Sequence, residues 1–119
     1  MTIMHPFVAL DQFSFHHTLG ETHGLSVVIF ASRACAPCRR WKRLLADYVD
    51  RRESPEITVF EVDAERDLGL VREFEVFHFP ALFLYKDGRY HCELQSEASL
   101  EGFAAAIRKG LALPRQEAP

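Results

Sequence analysis

The period of apolar and polar residues changes repeatedly along this chain, and each change marks an element. Leu25 to Ala31 is almost continuously apolar and rich in β-branched residues, the pattern of a strand covered on both faces. Further on, Trp41, Leu44, Leu45, Tyr48 and Val49 recur at i, i+3, i+4, i+7 and i+8. That spacing predicts a helix with one apolar stripe and its charges opposite. Pro37 falls in the first turn, where N–H groups have no intrahelical partner, and Ser54-Pro55 closes the helix. Ile57 to Val62 reads as a second apolar strand ending at Asp63, and Ala81 to Tyr85 as another after Pro80.

The remaining elements are shorter. Pro6 to Ala9 is a candidate strand; Asp11 caps a helix to about Leu19, with Phe13 and His17 on one face, and Gly20 and Gly24 end it. Asp67 to Phe74 is a short helix with Leu70 and Phe74 on one side. Asp87-Gly88 suits a two-residue type I′ hairpin, whose two positions both take positive φ, so Arg89 to Leu94 is the antiparallel return strand. Ser99 caps a last helix that buries Leu100, Phe103, Ala104 and Ile107 and stops near Gly110. The order is β-α-β-α-β-α-β-β-α, an α/β fold with a central mixed sheet of about five strands and helices on both faces. Crossover helices make the first three strands parallel. The whole of 1–119 is expected to be a single domain, its core at about 6–111 and 112–119 a frayed tail.

Composition adds mainly exclusions. A chain of 119 residues is long enough to bury a core, and 48% hydrophobic with 26% charged residues is ordinary for a globular protein. A formal charge of −3 gives no reason to expect nucleic acid. The basic run Arg39, Arg40, Lys42 and Arg43 reads as a solvated helix face, balanced by Asp47 and Asp50. Met1 to Asp11 lacks the features of a signal peptide, and no stretch approaches a membrane span, so the expectation is a cytoplasmic protein without a membrane partner. Three cysteines, an odd number, do not make a secreted disulfide framework.

What chemistry the chain carries is concentrated at Cys35-Ala36-Pro37-Cys38, where the first long strand meets its helix. Two intervening residues at a helix start put both sulfurs within disulfide reach. The unpaired N–H groups and the positive end of the helix dipole stabilise a Cys35 thiolate, the nucleophile of disulfide exchange. Half of a zinc site and an inert core pair are the alternatives. Zinc needs two more ligands at regular spacing, and only Cys92, His78 and His91 offer themselves, with no second pair. Alternation along the last strand leaves open which of His91 and Cys92 faces inward.

With its elements in this order, the chain resembles a thioredoxin over about Pro6 to Leu111. The resemblance rests on Phe30-Ala31 leading into the Cys-Ala-Pro-Cys motif, on Glu61-Val62-Asp63, on Phe74 through Pro80, and on Tyr85-Lys86-Asp87-Gly88. It implies that Cys35 is the attacking, partly exposed thiolate and Cys38 the more buried resolving thiol. It also implies that Phe79-Pro80 is a cis peptide facing the dithiol, with the Phe79 backbone pairing an extended substrate segment. Phe77 and Phe79 then border the docking surface, while Trp41 and the other phenylalanines are core.

Several positions depart from the family pattern. The usual Trp before the first cysteine is Ala34, the buried Asp beneath the resolving cysteine is Ile29, and its nearby Lys is Val59. Arg43 replaces the helix-kinking Pro, and His78 stands where Gly is common. His78 is read as a surface histidine, with a proton shuttle beside the dithiol as the functional alternative. The expected site is therefore Cys35 and Cys38 as the catalytic pair, with Ala34, Ala36, Pro37, His78, Phe79 and Pro80 positioning substrate. The resemblance implies a protein-disulfide oxidoreductase, working as a reductase on disulfide-containing proteins, needing no cofactor and fed by an electron-donating reductase. A thioredoxin-fold adaptor or assembly module with little turnover is the alternative, and a metal carrier using Cys35 and Cys38 a third.

Overall fold

In the computed structural model, which describes residues 7–119, a five-stranded sheet runs in the order β1-β3-β2-β4-β5. The strands are β1 (Val8–Leu10), β2 (Leu25–Ala31), β3 (Thr58–Asp63), β4 (Ala81–Lys86) and β5 (Arg89–Leu94), and the helices α1 (Phe15–Gly20), α2 (Ala36–Asp50), α3 (Leu68–Glu73) and α4 (Leu100–Ala112). β1 and β2 flank β3 in parallel; β4 runs antiparallel to β2 and pairs antiparallel with β5. The start of the first predicted strand, Pro6, lies outside the described residues.

Strand alternation divides the core in two. Val27, Ile29, Ala31, Val59, Leu82 and Leu84 face α2 and α4, where Trp41, Leu45, Tyr48, Phe103 and Ile107 close over them. Val28, Phe30, Phe60, Val62 and Phe83 face the other way, against Phe15 and Leu19 of α1, Leu70 of α3, and Phe74. Asp87 and Gly88 have φ of 50° and 82°, the turn their dipeptide predicts, and they reverse the chain between β4 and β5.

Four local expectations are corrected. The first helix does not start after Asp11. The Asp11 carboxylate accepts from the Phe13 and Ser14 N–H groups, forming a turn, and the helix begins at Phe15. Phe15 and Leu19 are thus the buried residues, while Phe13 and His17 lie exposed. Asp47 does not balance the basic run: it pairs with Arg51, while Lys42 reaches across to Glu61 of β3 at 2.5 Å. A second cis peptide, Ser54–Pro55, follows α2, and the Pro55 carbonyl accepts a hydrogen bond from the Tyr48 hydroxyl. α4 runs past Gly110 to Ala112. Beyond it the Gln116 N–H donates to the His91 carbonyl at 2.8 Å, so the end of the chain touches β5.

The inward residue on β5 is settled by a bulge. Tyr85 pairs with Tyr90 but Leu84 pairs with Cys92, leaving His91 as an extra residue. Parity therefore flips: Tyr90 belongs to the α1/α3 core and Cys92 to the α2/α4 core. Both His91 and Cys92 are buried, and the His91 ring nitrogen Nε2 lies 2.7 Å from the Gly110 carbonyl oxygen.

Candidate active site

β2 delivers the chain to the end of the sheet, and residues 32–35 turn it into α2. Glu65, from the loop after β3, braces this turn. Its carboxylate accepts from the Ser32 hydroxyl at 3.0 Å and the Arg33 N–H at 3.3 Å. The Arg33 guanidinium lies within 4 Å of both Asp63 and Glu65. Glu65 was not legible as a site-shaping residue, because a contact 33 positions away in sequence leaves no periodic trace.

Cys35 is the N-cap of α2, and Cys35 and Cys38 are joined by a disulfide, their Cα atoms 5.2 Å apart. The Cys38 N–H donates to Cys35 Sγ at 3.1 Å, so the first sulfur occupies the place where a capping oxygen would sit. Ala36 and Pro37, both exposed, form the first turn. The helix dipole and this N–H favour negative charge on Cys35 once the disulfide is opened. The two sulfurs differ in access: Cys35 is half-buried and Cys38 is 1% exposed.

Beneath Cys38 the protein is apolar. Ile29, Val59, Leu82 and Trp41 share its cluster, with Ile29 fully buried and Val59 nearly so. An ion pair, Lys42–Glu61, is carried by the residue four after Cys38 and by the β3 partner of Ile29. Neither side chain is sealed from solvent.

Phe79–Pro80 is a cis peptide bond, and the Phe79 carbonyl oxygen lies 3.7 Å from Cys35 Sγ. Phe79 and Pro80 are half-buried, and the Phe79 ring packs against both halves of the core. Ala34 is exposed at the turn before Cys35 and leaves that side of the disulfide without a large side chain. His78 is exposed and lies on the wall of a groove beside Pro80, with Trp41 on another wall. No polar contact joins His78 to either sulfur among the described residues. Cys92 is buried, and burial pushes its thiol above the ordinary cysteine range. Among the described residues no three His, Cys, Asp or Glu side chains converge in an arrangement that could hold a metal ion. No helix among them is long and apolar enough to cross a membrane.

A parallel β-α-β unit feeding a hairpin, with a two-cysteine helix tip opposite a cis proline, defines a thioredoxin-fold protein with a disulfide-forming Cys-x-x-Cys pair. The chain belongs to the thioredoxin family, whose model matches residues 6–109. No curated protein sequence matches it. Among solved structures it is similar to human ERp44 form I (TM-score 0.74, 16% identity, 92% of this chain) and to the zinc-bound form of human ERp44 (0.73, 16%, 87%). It is also similar to the J-Trx1 fragment of ERdj5 (0.72, 18%, 91%). It spans 30% of each of those ERp44 chains and 53% of the ERdj5 fragment.

Proposed function

We propose that this chain is a thiol-disulfide oxidoreductase that reduces disulfides in other proteins. The supporting observation is the unequal pair at the start of α2. One sulfur is accessible and receives an N–H at the helix tip; its partner is sealed but bonded to it. In the reduced protein the Cys35 thiolate attacks one sulfur of a substrate disulfide and expels the other as a thiolate. Cys38 gives its proton to water, attacks Cys35 Sγ, breaks the mixed disulfide and releases the second substrate sulfur as a thiolate, which takes up a proton from solvent. Two electrons have then moved from the dithiol to the substrate, and the Cys35–Cys38 disulfide is restored. Phe79 offers its backbone to an extended substrate segment, with Ala34, Ala36, Pro37, His78 and Pro80 bordering the approach. No bound cofactor takes part, and an electron-donating reductase regenerates the dithiol. The proposed setting is the cytoplasm, where the prevailing potential favours reduction. Neither nucleic acid nor membrane is among the proposed partners.

A second reading, an adaptor that binds proteins with little turnover, is favoured by Ile29. With an apolar side chain there, position 29 offers no carboxylate to take the Cys38 proton, and its β3 partner Glu61 is paired with Lys42. Insulin reduction driven by dithiothreitol separates the two. Turnover that disappears in Cys35→Ser supports the oxidoreductase; wild-type protein no faster than dithiothreitol alone supports the adaptor. Cys38→Ser is expected to hold substrates as mixed disulfides on Cys35.

A further inference from the structure

The groove beside Pro80 has a volume of about 440 Å³ and opens at the start of β4 and the end of β5. Its lining includes two carboxylates, Glu75 and Glu93, and one imidazole, His78. Phe77, a residue 82% exposed, and the edge of the buried Trp41 also line it. Glu75 is held at φ 52° just after α3, its N–H donating to the Arg72 carbonyl at 3.2 Å. Among the described residues neither Glu75 nor Glu93 has an ion-pair partner. Two carboxylates without ion-pair partners in a groove that also carries aromatic side chains suit a guanidinium, which donates to carboxylates and stacks on rings. The same carboxylates repel phosphate and acidic peptides.

Resting on the reductase reading above, we propose that this groove selects disulfide substrates carrying an arginine close to the attacked cysteine. Continuity with the dithiol supports a peptide as the occupant. Pro80 lines the groove, and the residue before it sets its carbonyl 3.7 Å from Cys35 Sγ. An extended segment rises about 3.3 Å per residue, so a side chain one or two positions from a cysteine on Cys35 reaches past Pro80.

The test uses reduced full-length protein and a set of disulfide-bonded peptides that differ at one residue. Arg, Gln or Glu is placed in turn at the two positions on each side of the cysteine, and single-turnover rates are read by stopped flow. At one of these positions Arg is expected to outpace Glu by about five-fold at low ionic strength, a ratio that shrinks in high salt. The double variant Glu75→Gln/Glu93→Gln is expected to bring the ratio towards one, and Glu75→Lys/Glu93→Lys to invert it. Equal rates for all peptides in the wild type, or a preference unchanged in both variants, overturn the selection proposal and leave the reductase reading standing. Failure to reduce any peptide or insulin overturns the reductase reading itself.

Discussion

Ile29 and Cys38 lie in one apolar cluster, at 0% and 1% exposure, so the Cys38 sulfur rests on hydrocarbon. A carboxylate at that position would have no opposite charge within the cluster, and its β3 partner is Glu61, a second carboxylate already paired with Lys42. Ile29→Asp is therefore expected to cost at least about 3 kcal/mol at neutral pH, the range for an uncompensated buried charge. The introduced carboxyl would titrate above its unfolded value of about 3.9, because burial disfavours the charged form. The folded state then holds a proton that the unfolded chain has released, so stability falls as pH rises from that value through the folded pKa. Urea midpoints at pH 4 and pH 7 check this; equal losses at both would show that the carboxylate finds solvent or a partner.

The turn between β4 and β5 leads to a second expectation. Gly88 has φ of 82°, and a Cβ there would stand 2.5 Å from the Gly20 carbonyl oxygen, a backbone atom at the end of α1. The Asp87 carboxylate also ties this turn to the Gly24 N–H at 2.8 Å. Gly88→Ala combines a strained backbone with a clash against main chain, and about 2 kcal/mol of destabilisation is expected. Chemical denaturation measures it, and a change under 0.5 kcal/mol would mean that the hairpin moves away from Gly20 at little cost.

These two sites mark what could be read without coordinates. Local chemistry was legible: the Asp87-Gly88 dipeptide, the stripe through Trp41, Leu45 and Tyr48, and Ser99, whose hydroxyl accepts from the Gly102 N–H at 3.0 Å. The start of the first helix was not, because Asp11 can cap either a helix or a turn and its own spacing does not distinguish them. A helix starting after Asp11 would turn Phe13 inward, whereas the turn leaves it exposed and buries Phe15. The bulge at His91 was hidden for another reason. Alternation assumes unbroken pairing, and the extra residue is visible only in the partner strand's register. At the site, the cysteine pair follows from a local motif, and the cis proline from the resemblance to the thioredoxin family. The Glu65 brace and Glu75 come from loops and Glu93 from β5, and only the fold brings them to the site.

Alkaline stability should be set by tyrosines. Burial pushes the Tyr48 and Tyr90 hydroxyls from 10.0 up to about 12, and burial raises Tyr85 as well. Above pH 10 the unfolded chain loses protons that these folded groups retain. Their contribution is therefore complete below pH 10 and declines as pH rises towards 12. Tyr90→Phe, which removes a buried hydroxyl from the Phe74–Phe83 cluster, is expected to make the decline shallower. Denaturation midpoints from pH 8 to pH 11 test this, and identical slopes for wild type and variant would show that Tyr90 ionises as freely folded as unfolded.

Gly110 and Cys92 make a coupled pair across the α4–β5 contact. Gly110 sits inside α4, where alanine is favoured over glycine by about 1 kcal/mol. A Cβ at this position would lie 2.9 Å from Cys92 Sγ, although its contacts with Leu84 and Leu94, at 3.6 and 3.9 Å, are ordinary. The sulfur is buried, and the His91 ring fixes the Gly110 carbonyl beside it, so neither side yields easily. Gly110→Ala alone is expected to be neutral or destabilising by up to about 1 kcal/mol, the clash offsetting the gain in helix propensity. In a Cys92→Ala background the obstruction is gone, and the same substitution is expected to stabilise by about 1 kcal/mol. A double-mutant cycle reads the difference as a favourable coupling of about 1 kcal/mol or more. Strict additivity would mean that α4 shifts away from β5 to admit the methyl group.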